Sequence, residues 1–328
     1  MTQTLDPNKK ASVPTTLRKP NEALETLAIT VLAGGPGTER AVSLDSGRAV
    51  SEALVRLGHR VAMRDIDPHD LSALDRPADF VFVALHGAFG EDGTLQAELD
   101  RRGLAYCGSG SAASRLAMHK VQAKRSFERA GIPTPPYVLV GCGAPDDAIP
   151  TSFAPGFVKP VSSGSSVDTT LERSFEDLWA AARRVADAYG EALVERRIVG
   201  PELTVGVLGE QALPVCEIRT QREFYDYDAK YVDDNTEYLF DLELPTALLE
   251  RVQTLSVEAH HAVGCRVFSR VDWMVDRESL EPYVLEINTI PGFTSHSLLP
   301  KAAQRIGLDF DQLCQRIVEL SLSENRNA

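Results

Sequence analysis

Residues 27–102 alternate strand-like and helix-like patterns, and no other feature of the chain restricts its fold as much. An apolar run at 27–33 ends in Gly34, Gly35, Pro36 and Gly37. Val42, Ala49, Val50, Ala53, Leu54 and Leu57 then recur at helical spacing before Gly58. A second apolar run, 79–85, enters His86 and Gly87, and a short helix over 94–102 stops at Gly103. Strands joined through helices predict a parallel sheet, so this part reads as α/β.

The remainder is organised differently. A helical stretch over 112–130 closes at Gly131 with Pro133 beyond it, and a new domain begins near here. Prolines break up 133–155, after which Lys159 ends a strand and a serine–glycine loop follows at 162–166. Ser174 and Asp177 cap a helix running to about Tyr189, with strands at 192–195 and 203–208. The stretch 221–238 is polar and aromatic without a sustained period and reads as a long functional loop. A helix over 246–262, strands at 267–276 and 282–288, a loop and two terminal helices complete the chain.

With 328 residues and 43% hydrophobic content, the chain can bury a core in two or three domains. A net charge of −13 argues against nucleic-acid binding, which needs a basic face. Cys107, Cys142, Cys216, Cys265 and Cys314 are scattered without a CxxC pair, indicating neither zinc nor a disulfide framework and suiting a reducing compartment. Residues 1–26 lack an apolar run and read as a disordered extension rather than a secretory signal. No later run reaches membrane-spanning length.

The chemistry concentrates in two acidic strands. Arg270 and Asp272 are two apart on one strand, Glu286 and Asn288 two apart on the next, so each pair shares a face. If the strands pair, two carboxylates and an amide oxygen converge, a hard donor set suited to Mg²⁺ bridging phosphates. Either pair alone could equally be a solvent-facing edge. The adjoining loop tips the balance: Gly292 lets backbone approach a ligand, and Ser297 beside a helix start suits a carboxylate. Lys159 with Ser165 and Ser166 could fold over polyphosphate, although small polar residues alone more often mark a turn. The glycine turn at 34–37 does not satisfy the dinucleotide spacing. It places Glu39 at a helix entrance, where the acid could hold an ammonium or merely complement the helix dipole. His86 ends a strand where ligands gather, or packs. Glu195 and Glu202 could bracket an adenine and ribose, or be surface acids.

In order, these segments resemble the D-alanine:D-alanine ligases from about Leu27 to about Leu322. The resemblance is carried by residues 39–43, 85–87 with 90–94, Lys159 and Pro160 with 164–166, 200–202, 224–231, 270–272 and 286–298. It implies a three-domain ATP-grasp fold, α/β overall and α+β in its ATP-grasp part. The N-terminal substrate domain would span 27–118, the central domain 119–201 and the C-terminal catalytic domain 202–328. It implies that Lys120, Lys159, Ser166, Glu195, Glu202 and Lys230 hold ATP. Asp272, Glu286 and Asn288 would bind two Mg²⁺, with Mn²⁺ as an alternative. Glu39 would anchor the first D-alanine with Ser165 and Tyr231, His86 nearby. Arg270 and the Gly292 amide would face the oxyanion, and Ser297 and the Leu298 amide the second carboxylate. The reaction implied is ATP-dependent formation of D-alanyl-D-alanine through an acyl phosphate, for peptidoglycan precursors, by a cytoplasmic homodimer.

Three positions depart from the family pattern: Asp168 stands where a glycine is common, His119 where an aspartate usually precedes Lys120, and Pro36 and Gly37 where small hydroxyl residues are usual. Sister ligases making D-alanyl-D-lactate or D-alanyl-D-serine, and a noncatalytic ATP-grasp-like binding protein, are the alternatives. A nicotinamide oxidoreductase would rest on fold analogy alone.

Overall fold

A computed structural model describes residues 25–145, 147–164, 167–222, 235–294 and 297–325. The first sheet contains β1 (Ala28–Ala33), β2 (Arg60–Asp65) and β3 (Phe80–Val83), all parallel in the order β2-β1-β3, with α1 (Arg40–Arg56) connecting β1 to β2 and α2 (Thr94–Arg102) following β3. All four residues of β3 are buried, as expected for a strand covered on both faces. Gly103 ends α2 in the left-handed conformation that its position in the sequence predicted.

The single helix expected over 112–130 is instead two, α3 (Ser111–Met118) and α4 (Lys120–Arg129). His119 separates them in extended backbone, and its ring accepts the Gln122 amide at 3.4 Å as the cap of α4. The Lys120 amide turns away to bond the Val161 carbonyl at 2.9 Å, a tertiary contact that helix propensity does not register.

The second sheet is antiparallel: β4 (Tyr137–Gly141), β5 (Gly156–Pro160), β6 (Thr170–Glu172) and β7 (Glu191–Arg196), ordered β4-β7-β5-β6. Helix α5 (Phe175–Tyr189) covers it, and the Ser174 hydroxyl accepts the Asp177 amide at 3.1 Å as expected. The third sheet contains β8 (Glu202–Leu208), β9 (Gln211–Ala212), β10 (Cys216–Arg219), β11 (Glu237–Leu239), β12 (Phe268–Val275) and β13 (Pro282–Asn288). Its order is β11-β10-β8-β12-β13, with β9 beside β8. Strand β11 corrects the reading of 221–238 as loop throughout, because Ile218 pairs with Tyr238.

Helix α6 (Thr246–Val263) packs on this sheet over Trp273, which is fully buried and donates its indole N–H to Ser256 at 2.9 Å. The last helices, α7 (Leu298–Arg305) and α8 (Phe310–Asn325), return to the first sheet: Leu299, Ala303, Ile317 and Val318 share a core with Val31, Leu54 and Phe82. Arg56 of α1 pairs with Asp311 of α8 at 2.6 Å. Phe293 makes edge-to-face contacts with both Phe82 and Phe268, joining the first sheet to the third directly under the loop that follows β13. Among the described residues, no helix is long and apolar enough to cross a membrane.

Candidate active site

The expected pairing of the two acidic strands is present. Arg270 lies opposite Asn288 and Asp272 opposite Glu286, so all four side chains stand on one face of the third sheet. The register shifts just after Asp272, at the end of this polar set. Arg270 donates to both Asp272 oxygens, at 2.9 and 2.8 Å, and the Thr204 hydroxyl adds a bond at 2.6 Å. Asp272 is therefore held in place by β8 and β12 together.

Two adjoining clefts meet on this face, with Lys120 and Glu286 lining both. The first is also lined by Glu39, His86, Arg270, Asn288, Gly292, Ser297 and Leu298, and the second by Lys159, Glu195, Glu202 and Asp272. Every expected site residue within the described chain thus borders one cleft or the other. Ser165, Ser166, Lys230 and Tyr231 lie outside the described residues.

In the first cleft Glu39 sits just ahead of α1, only 8% exposed, and makes no capping bond to the helix. Gly87 and Gly164 approach its carboxylate: a Cβ on Gly87 would lie 2.7 Å from Oε2, and one on Gly164 3.5 Å. Gly87 also has φ of +73°, so the position requires glycine on two counts. Both ring nitrogens of His86 are engaged by protein. Nδ1 donates to the Ile290 carbonyl at 3.1 Å, and Nε2 is hydrogen-bonded to the Ser46 hydroxyl at 3.1 Å. Ser46 in turn accepts the Phe293 amide at 3.2 Å. His86 thereby ties the end of β3 to the loop after β13. Glu91 lies 3.7 Å from the same ring, and burial, then the nearby Glu39 charge, push its carboxyl up. Across the cleft, the Ser297 hydroxyl accepts the Thr294 amide at 3.0 Å, and α7 begins there, with Ser297 and Leu298 lining the cleft.

The second cleft lies between the second and third sheets, with Phe157, Ile198, Met274 and Leu285 as apolar walls. Lys120 donates to the Ser163 carbonyl, which fixes the start of the serine loop. Glu195 borders this cleft yet lies deep in the protein. It is 2% exposed, with one oxygen 2.5 Å from Lys124 and the other paired with Lys159. Burial opposes its ionisation, but the two ammonium groups hold its carboxyl down at about 2. Burial also lowers Lys124, whereas at Lys159 burial is the largest single influence but the charge and hydrogen bond of Glu195, with the charges of Glu286 and Glu202, together exceed it and favour the ammonium. Lys124 was missed in the sequence; the signal is a lysine among Val121, Ala123 and Phe127 on the buried face of α4. Asp168, the departure from the family glycine, has φ of +52° and accepts a hydrogen bond from Tyr189 at the end of α5.

A cleft gripped between two antiparallel sheets, with Lys159 paired to the buried Glu195 on one and paired acids on the other, defines an ATP-grasp enzyme. Family models described as D-ala D-ala ligase C-terminus and N-terminus match residues 127–319 and 63–109. The chain belongs to the D-alanine–D-alanine ligase family. It is 42% identical over 302 residues to the D-alanine–D-alanine ligase of Marinobacter nauticus, covering 92% of this chain and 93% of the relative. With that of Gloeobacter violaceus it is 43% identical over 308 residues, covering 90% and 100%. The Bacillus anthracis D-alanine–D-alanine ligase complexed with ATP superposes with a TM-score of 0.80 at 31% identity, covering 92% of this chain and 99% of that one. VanG D-Ala:D-Ser ligase from Enterococcus faecalis gives 0.80 at 30% identity, covering 90% and 100%.

Proposed function

We propose that this chain joins two D-alanine molecules into D-alanyl-D-alanine for peptidoglycan precursors, cleaving ATP to ADP and phosphate. The observation that carries the reading is the register of β12 and β13, which sets Arg270, Asp272, Glu286 and Asn288 where the two clefts meet. Phosphoryl transfer between anions depends on positioned positive charge and donors at such a junction.

ATP would lie in the second cleft, its base against Phe157, Ile198, Met274 and Leu285, its ribose toward Glu202 and its phosphates toward Lys120 and Lys159. Glu39 would hold the ammonium of the first D-alanine, turning its carboxylate toward the terminal phosphate. A carboxylate oxygen attacks the γ-phosphorus, the bond to the β-phosphate oxygen breaks, and ADP and an acyl phosphate result. The amine of the second D-alanine then attacks the acyl carbon, phosphate leaves, and the amine proton is lost as the amide forms. Arg270 and the Gly292 amide would face the tetrahedral oxygen, and Ser297 with the Leu298 amide the second carboxylate.

Asp272, Glu286 and Asn288 fit Mg²⁺ as a partial oxygen shell. Among the described residues, no three or more His, Cys, Asp or Glu cluster as a self-sufficient metal cage. A set of two carboxylates and an amide suits an ion whose other ligands are phosphate and water. When bound, Mg²⁺ or Mn²⁺ would neutralise phosphate charge there. The reading includes a cytoplasmic homodimer with domains at 27–118, 119–201 and 202–328; four buried free cysteines suit a reducing compartment.

D-alanine labelled with heavy oxygen in its carboxylate tests the route. An acyl phosphate delivers one labelled oxygen to the released phosphate, and unlabelled phosphate contradicts it. The likeness to the VanG ligase favours one alternative, D-serine as second substrate; the dipeptide ratio from an equimolar D-alanine and D-serine mixture decides between them.

A further inference from the structure

We propose that Lys124 is a positioning residue for the nucleotide: acting through Glu195, it leaves Lys159 oriented toward the polyphosphate. The inference rests on the functional reading above. Lys124 lies one turn after Lys120 on α4, is 1% exposed and borders neither cleft. Its Nζ is 2.5 Å from Glu195 Oε1 and donates to the Thr134 hydroxyl at 2.6 Å. That hydroxyl donates to the Val284 carbonyl at 2.9 Å, two residues before Glu286. One ammonium thus ties together the helix that carries Lys120, the strand that carries Glu195 and the strand that carries Glu286.

Two physical points favour positioning over simple structural support. Burying a lysine is costly, and an apolar side chain filling the same space is often as stable, so stability alone gives no reason for an ammonium here. Charge does. With Lys124 present, one carboxylate is shared between two cations, and the group keeps a net positive charge on the wall where phosphates enter. Without it, Glu195 and Lys159 form a neutral pair, and the Glu195 oxygen left behind is free to draw Lys159 back from the ligand. The route runs from Lys124 to Glu195 Oε1, and from Glu195 Oε2 to Lys159.

The test compares Lys124→Met, Lys124→Arg and Thr134→Val in the full-length enzyme, measuring kcat, KM for ATP and for D-alanine, and ATP binding by calorimetry. Lys124→Met is expected to raise KM and Kd for ATP about tenfold or more, with KM for D-alanine within about twofold. Lys124→Arg should recover most of the loss. In a Glu195→Gln background Lys124→Met should add less than about threefold, because the two act as one unit. ATP constants unchanged in Lys124→Met overturn the proposal, as does an equal loss toward ATP and D-alanine that Lys124→Arg does not relieve. Should Lys124→Met be insoluble, Thr134→Val decides: a rise selective for ATP of about threefold supports the proposal, and unchanged ATP constants overturn it. A wild-type enzyme that binds no ATP overturns the functional reading itself, a result separate from any variant effect.

Discussion

Replacing Glu39 with glutamine removes a charge while keeping shape, and the structure sets the size of the effect. The carboxylate is nearly buried between Gly87 and Gly164, so solvent does little to screen an ammonium bound there. A hydrogen bond to a charged partner is worth about 1.5–3 kcal/mol. Its loss corresponds to about a 10- to 150-fold weaker hold on the first D-alanine. Low exposure puts the expectation in the upper part of that range. Initial velocities over a wide D-alanine range separate the two amino-acid constants; only the first should rise, with KM for ATP and the melting temperature nearly unchanged. Gly87→Ala offers an independent check, since its Cβ would meet the same carboxylate at 2.7 Å from a left-handed backbone, and it should weaken the same constant. A first-substrate KM within about twofold of wild type in Glu39→Gln would refute the anchoring role.

Trp273→Ala empties the centre of the core under α6 and removes the indole donor to Ser256, whose hydroxyl keeps its bond to the Val252 carbonyl; denaturant unfolding should show a loss of about 3–5 kcal/mol, and a loss below about 1 kcal/mol would contradict that packing. His260 is buried against Ser269 at 2.7 Å, and burial lowers its pKa to about 4. Because the unfolded ring binds protons more readily, stability from this site is complete above about pH 6.5 and is lost as the pH falls toward 4, by about 2 kcal/mol at pH 5. His260→Gln should flatten that part of the stability profile, and an unchanged pH slope would count against it. Chelation of divalent metal should abolish turnover, with Mg²⁺ or Mn²⁺ restoring it; full activity in excess chelator would remove the role given to Asp272, Glu286 and Asn288.

The acidic strands were legible because polar residues at every second position of an apolar run can only share a face. The structure adds which strand pairs with which, and in what register. The break at His119 was not legible: residues 112–130 carry an unbroken helical pattern, and only the bond between Lys120 and Val161 turns the chain. Strand β11 is three residues long and takes its form from pairing with β10, so local pattern says little about it. Glu195 read as an acid that brackets an adenine and ribose or lies at the surface, and Lys124 was not singled out at all. Charged side chains usually lie on the surface, and neither shows in sequence that it meets the other in the interior. Glu39 was visible only as an acid near a helix start; its burial between two glycines, without a capping bond to the helix, is a tertiary feature that local pattern does not show.

The central claim is tested most directly by phosphate release from ATP and Mg²⁺ in the presence of D-alanine, L-alanine or no amino acid, with mass analysis of the products. Release that depends on D-alanine, in step with D-alanyl-D-alanine, is the predicted result. ATP binding without turnover on any amino acid would contradict it and leave a nucleotide-binding protein in the same fold.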